Sequence, residues 1–295
     1  MLRERLLPVG VVALGLAATG CPPPPPKSAF PTADDALGRM HACYDCAVGL
    51  QGTAKVDVVT KKGRVKGEVY LFAINPESVR FDVVSPFGAG IYTLTSDGKD
   101  FKLADQEQKT FFYGPANACN LARFTQVNVP PHALVSLLRG EAPVLAHTPD
   151  EASISWEGGD YKIVLRSKNE AVEEIHLEVR REDLEKPWAE QRVRVTSVRV
   201  EQGGQNLYTA ELKDYKATTT APPRPGDEDL GEDPTPPSGP ACDAEYPSEI
   251  RFRVPKTKDD VVFEYKEAKW NPPLIEGTFT QPVPGGMTEA FVTCE

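Results

Sequence analysis

Residues 54–84 read AKVDVVTKKGRVKGEVYLFAINPESVRFDVV. Ala54, Val56 and Val58 alternate with Lys55 and Asp57. Val65, Gly67, Val69, Leu71 and Ala73 alternate with Lys66, Glu68, Tyr70 and Phe72, and Val79, Phe81 and Val83 follow. A period of two is the signature of strands with one buried face. Lys62-Gly63 and Asn75-Pro76 supply the turns between them. These are consecutive strands of an antiparallel sheet, and they set the reading of the rest of the chain.

Downstream, short strands are predicted at Ile91–Thr95, Phe101–Leu103 and Thr110–Tyr113, with Asp97-Gly98 as a hairpin signal. A helical interlude runs from Pro115 to Arg139. Pro115 and Pro131 suit first-turn positions, and Gly140 ends the interlude. Strands resume at Ser153–Trp156, Tyr161–Arg166, Glu174–Val179, Val193–Val200, Leu207–Tyr215, Ile250–Val254 and Val261–Trp270. Upstream, Thr32 to Gln51 reads as a helix. Thr32 is its cap, Asp34 and Asp35 lie in its first turn, and Leu37, Met40, Cys43, Tyr44, Ala47 and Leu50 form its apolar face. Pro222 to Pro240 is rich in Pro, Gly and acidic residues and has no aromatic. The segment 217–241 is therefore expected to be a disordered insertion. The whole is one mainly β domain over residues 32–295, an antiparallel meander of about a dozen strands with two helical elements.

The first 20 residues have the layout of a signal peptide. Arg3 and Arg5 precede an apolar run from Leu6 to Gly20, too short to span a bilayer comfortably. Leu16-Ala17-Ala18-Thr19-Gly20-Cys21 resembles a bacterial lipobox, which implies acylation of Cys21 as the first mature residue. Five prolines, Pro22 to Pro26, follow. As polyproline II they make a stiff spacer of ~15 Å, and residues 21–31 read as anchor and tether. Pro22 stands where aspartate would mark retention in the inner membrane, so the resemblance points to the periplasmic face of the outer membrane.

The export signal agrees with the cysteines. With Cys21 lipidated, Cys43, Cys46, Cys119, Cys242 and Cys294 remain, and an oxidising compartment favours two disulfides and one free thiol. A Cys242–Cys294 bridge would pin the C-terminus, and one of Cys43 and Cys46 is expected to bridge to Cys119.

The chain has 295 residues and a net charge of -10. That balance argues against nucleic acid, whose phosphates need clustered Lys and Arg. There is no GxSxG, HExxH, Walker loop or GxGxxG after a strand, and His41, His132, His147 and His176 are not spaced as ligands. No catalytic residue, metal or cofactor is nominated, and a non-enzymatic monomer is expected.

Gly52 to Val144 resembles the LolB family, outer-membrane lipoproteins that accept lipoproteins from the periplasmic carrier LolA. The likeness is carried by the strand opening Gly52-Thr53-Ala54-Lys55-Val56 and by Val79-Arg80-Phe81-Asp82-Val83-Val84-Ser85-Pro86-Phe87-Gly88. It continues through Leu94 to Phe101, then Val127-Asn128-Val129-Pro130-Pro131-His132-Ala133-Leu134 and Leu137-Leu138-Arg139-Gly140. The closing strands resemble the wider LolA/LolB-like architecture at Ile250, Phe252, Val261–Tyr265 and Trp270-Asn271.

This resemblance implies an incomplete half β-barrel wrapped over a helical lid, with an apolar cavity for acyl chains between them. Val65, Val69, Leu71, Val79, Phe81, Val83, Ile91 and Leu94 are the expected sheet lining. Leu121, Phe124, Leu134, Leu137 and Leu138 are the expected lid lining. Phe87, between Pro86 and Gly88, matches a leucine on the family's membrane-delivery loop. The implied partners are the membrane, through the lipid on Cys21, acylated lipoproteins or lipids, and a periplasmic LolA-like carrier. The alternative is a structural or sensory envelope protein that uses the fold for protein–protein contact.

Overall fold

The computed structural model describes residues 24–61, 63–85, 90–226 and 232–294, the side chains of residues 123 and 124 excepted. Cys21 and the loop residues Pro86, Phe87 and Gly88 lie outside the described residues.

The alternating stretch forms the expected hairpin. β1 (Gly49–Thr60) and β2 (Gly63–Ile74) pair from Gly49↔Ile74 to Thr60↔Gly63. β3 (Ser78–Val84), β4 (Gly90–Ser96), β5 (Asp100–Asp105) and β6 (Thr110–Pro115) follow, each antiparallel to the one before. Two helices come next, α2 (Ala118–Thr125) and α3 (Pro131–Arg139). They are preceded in the chain by α1 (Ala33–Ala42).

A second meander is made of β7 (Ala152–Glu157), β8 (Asp160–Ser167), β9 (Ala171–Val179), β10 (Val193–Gln202), β11 (Gln205–Ala217), β12 (Glu245–Val254) and β13 (Asp259–Trp270). β1 pairs with β13 from Leu50↔Trp270 onward and joins the two meanders into one sheet. A last strand, β14 (Thr288–Phe291), adds to the outer edge of β6 in parallel. The order is β14-β6-β5-β4-β3-β2-β1-β13-β12-β11-β10-β9-β8-β7. β14 and β7 are the ends of this order, so the 14-stranded sheet is open. The fold is thus the mainly β, incomplete barrel with helices that was expected. α3 packs on β1, β2, β3 and β12, and α1 on β7 and β10. Leu50, Leu71, Val79, Leu94, Ile163, Ile175, Phe252 and Trp270 are fully or almost fully buried in the shared core.

Four expectations are revised. The first helix stops at Ala42, not Gln51, although Thr32 caps it as expected through a 3.1 Å hydrogen bond from the Asp35 N–H. Val48 and Gly49 instead donate their N–H groups to Asn271 Oδ1, and Leu50 pairs with both Ala73 and Trp270. Two ladders outweigh the local helical spacing. Pro115 closes β6 and does not open a helix, whereas Pro131 does.

The disulfides are Cys46–Cys242 and Cys119–Cys294, with Cα–Cα separations of 5.1 and 6.2 Å, and Cys43 is free. The expected count holds, but Cys242–Cys294 and a bridge from Cys43 or Cys46 to Cys119 do not form. The tail runs along β6, whose end leads directly into α2, so Cys294 meets Cys119. Cys242 is held beside Cys46 because Asn271 donates to the carbonyls of both Cys46 and Pro240, each at 2.7 Å.

Finally, the segment expected to be disordered has a paired stem. Arg224 and Thr235 exchange backbone hydrogen bonds of 3.0 and 2.9 Å, and Ala221 and Cys242 are buried.

Candidate functional site

The pairing register places small and branched apolar side chains in rows across β13, β1, β2 and β3. Val58 faces Val65 and Val261, Val56 faces Gly67 and Phe263, and Val69 faces Val83. Side chains of alternate residues share a face. These rows line an apolar cleft with about 640 Å³ of empty space, its solvent-open part included. Phe81, Ile91 and Tyr92 complete the sheet wall, and Thr125 reaches it from α2. The Thr125 hydroxyl donates to the Leu121 carbonyl at 2.9 Å, so it turns its polar end back onto its own helix. Burial and the nearby Asp105 push the Tyr92 phenol up to about 12, so it presents a neutral ring.

Gly67 is what keeps part of the cleft open. A Cβ built there would meet nothing closer than the Val84 carbonyl at 3.5 Å and Val83 Cγ1 at 3.7 Å. A side chain at 67 would enter the cleft without a backbone clash. Val65 is 65% exposed, so the cleft has a hydrophobic lip.

The lip carries charge. Arg64 Nε donates to Asp57 Oδ1 at 2.7 Å, and Lys66, which lines the cleft, lies 3.3 Å from Asp57. The Arg64 guanidinium, with Lys66 behind it, holds the Asp57 carboxyl down to about 2. Two cations against one anion leave this hairpin end net positive. An amphiphile with an anionic head and an apolar tail fits that distribution.

Of the expected lining, Val65, Val69, Phe81, Val83 and Ile91 are brought together in the cleft. Leu71, Val79 and Leu94 point to the same side but lie further along their strands, in the closed core. Leu121, Leu134, Leu137 and Leu138 are each no more than 1% exposed and fill that core too, so they do not line the cleft. The lid is held down at its end by Arg139, which is 1% exposed. Its guanidinium donates to the Ala47 carbonyl and to Asn75 Oδ1, and pairs with Glu141 at 2.7 Å. The side chain of Phe124 lies outside the described residues.

The residues missed were Val56, Val58, Lys66, Gly67, Tyr92, Thr125 and Phe263. Val56, Val58 and Gly67 already stood on the apolar phase of the alternating stretch. Phe263 joins them only through the β1–β13 pairing, which no local pattern encodes. Among the described residues no group of three or more His, Cys, Asp or Glu side chains is placed to hold a metal ion.

The sequence matches no family model and no curated protein. Among solved structures, the chain is similar to a LolA superfamily protein from Nitrosomonas europaea, with a TM-score of 0.49 at 11% identity over 85% of this chain and 98% of that one. A DUF1329 family protein from Desulfovibrio piger gives a TM-score of 0.49 at 11% identity over 83% of this chain and 94% of that one. Likenesses this distant transfer no residue role to the chain.

Proposed function

We propose that this protein binds acyl chains in the β1–β4 cleft while anchored to the periplasmic face of the outer membrane through lipid on Cys21. Its work there is to accept and insert lipoproteins, or to carry lipid, with a periplasmic LolA-like carrier as donor. The observation that carries the reading is the cleft itself, an apolar trough with a cationic lip. Each methylene buried in such a trough is worth ~0.8 kcal/mol and needs no directional partner. Val83 and Ile91 line the cleft, and the chain between them carries Phe87. In this reading Phe87 is the side chain that meets the bilayer, where an aromatic ring is favoured.

One observation favours the alternative, an envelope protein that uses the fold for protein contact. Four expected lid leucines fill the core, so they do not line the acyl-chain cavity that the resemblance implies. The two readings separate in one experiment. Protein purified from periplasm without detergent is examined by native mass spectrometry and lipid extraction, beside Gly67→Leu. An acylated ligand bound to the native protein and reduced at least tenfold in Gly67→Leu supports lipid handling. A ligand-free protein that also takes up no fluorescent fatty acid leaves the protein-contact reading.

A further inference from the structure

A second cleft lies in the other meander and shares no lining residue with the first. It holds about 820 Å³ of empty space, its open part included, between the start of α3, the segment at residues 143–145 and strands β9 to β11. Its walls are largely apolar: Ala133, Val144, Leu145, Val200 and Leu207.

One buried carboxyl stands among them. Glu173 occupies the core-facing phase of β9, in line with Ile175, Leu177 and Val179, and is 0% exposed. The Leu145 N–H donates to its Oε2 at 2.8 Å. Its Oε1 is buried and has no hydrogen-bond partner. A buried polar atom without a partner costs about 1–3 kcal/mol, so its place in a strand that is otherwise apolar on this face calls for a reason.

Burial pushes the Glu173 carboxyl up to about 8, against a smaller opposing effect of the Leu145 N–H and of His147. At neutral pH the group therefore holds its proton. Oε2 is already an acceptor, so the proton sits on Oε1 and makes it a donor with nothing to donate to.

We propose that this cleft binds an apolar molecule through one carbonyl oxygen, which accepts a hydrogen bond from Glu173 Oε1. An ester or amide at the head of a hydrocarbon chain has the right chemistry. The apolar walls take the chain and the buried Glu173 donor fixes the carbonyl. A hydrocarbon without such an oxygen would leave the donor unpaired, so the cleft selects for the carbonyl as well as for apolar surface.

The test compares 1-monolauroylglycerol with 1-O-dodecylglycerol, its ether analogue without the carbonyl, below their micellar concentrations. Dissociation constants are measured on the full chain and on Gly67→Leu, which closes the first cleft and makes the result independent of the function proposed above. The ester is expected to bind about tenfold more tightly than the ether, the size of one hydrogen bond in a buried site. Glu173→Gln keeps the preference, because its amide carbonyl accepts from Leu145 while its NH₂ donates in place of Oε1–H. Glu173→Leu abolishes it.

Should Glu173→Leu fail to fold, pH serves instead. The titratable side chains around Glu173 are His147, Tyr208 and, on the cleft wall, His132 and Glu201. The native preference should decline as pH passes about 8 and the donor proton is lost, while that of Glu173→Gln stays level. Equal binding of ester and ether by the native chain overturns the proposal. So does a tenfold preference that survives in folded Glu173→Leu, or a native preference that stays level from pH 6 to 9.5.

Discussion

Asn271 concentrates more of the fold than any motif around it suggests. It is fully buried, with φ of 51°. Its side chain accepts from Val48 and Gly49 and donates to Cys46 and Pro240. One amide thus ties the end of β13 to the start of β1, to the disulfide loop and to the foot of the acidic insertion. Asn271→Ala would remove the side-chain partner of the Val48 and Gly49 N–H groups and of the Cys46 carbonyl, leave the Pro240 carbonyl with the Thr220 hydroxyl alone, and force alanine into a left-handed conformation that asparagine tolerates. A loss of about 3–5 kcal/mol is expected in urea unfolding. Glu173 makes a separate prediction on pH. Its carboxyl has an ordinary value of 4.5 and is raised to about 8 by burial. Between those values the folded chain holds a proton that the unfolded chain has lost. Stability attributable to this group is therefore full below the lower value and falls as pH rises toward the upper one, by at most on the order of 5 kcal/mol. In thermal melts between pH 5 and 9, Glu173→Gln should lose less stability than the native protein across that window. Equal slopes would mean that Glu173 is ionised and paired in solution.

The elements divide by whether their cause is local. β1, β2 and β3 were legible because alternation reports a buried face directly, and α3 because Pro131 and Gly140 bracket its apolar residues. The end of α1 was not, since Tyr44, Ala47 and Leu50 keep helical spacing while Leu50 is claimed by β2 and by β13, which lies more than 200 residues away, and Val48 by Asn271. Five side chains of the β1–β4 cleft were legible for the same reason as their strands. Which leucines line space and which fill it was not, because both uses need the same pattern. β14 is the extreme case. It has four residues, three of them exposed, and none of the alternation that marks the other strands. It is held at its two ends. At its start the Thr288 N–H donates to the Lys109 carbonyl at 2.9 Å; past its other end the Val292 N–H donates to the Tyr113 carbonyl at 2.9 Å, and Cys294 is bonded to Cys119. Gly114 makes the close approach possible, since a Cβ there would lie 2.1 Å from the Val292 carbonyl oxygen. So short an edge strand has little apolar burial to hold it. Cys294→Ser should release it, with hydrogen exchange at residues 288–292 rising at least tenfold while β1 and β13 stay protected. Unchanged exchange would show that the strand pairing suffices without the disulfide.

At the scale of the molecule, the sheet is two meanders with a single seam, β1 against β13; the first cleft lies across that seam and the second within the β7–β13 meander. The seam is tight at Gly52, where a Cβ would sit 2.7 Å from the Glu267 carbonyl oxygen and 3.0 Å from the Tyr265 ring. The β1–β13 register shifts between Thr53 and Ala54, one residue further on, so the strands cannot slide to make room without losing the pairs on both sides. The helices cross the seam as well: α3 touches β1, β2 and β3 on one side and β12 on the other. The core is therefore shared, and the native chain should unfold in one transition, with far-ultraviolet dichroism and tryptophan fluorescence coincident. Tryptophan reports from one side. Trp156 and Trp188 belong to the second meander, and Trp270 sits on the seam, its indole N–H donating to the Ala244 carbonyl at 2.7 Å. Gly52→Val forces the seam apart by at least a few tenths of an ångström. Its dichroism should then fall first, as β1 to β6 lose their shared core, with the tryptophan signal following at higher urea. Two separated midpoints would establish the meanders as units joined by the seam. Coincident midpoints at lower urea would mean that the seam and both halves form one cooperative body, so that a ligand in either cleft must stabilise the other.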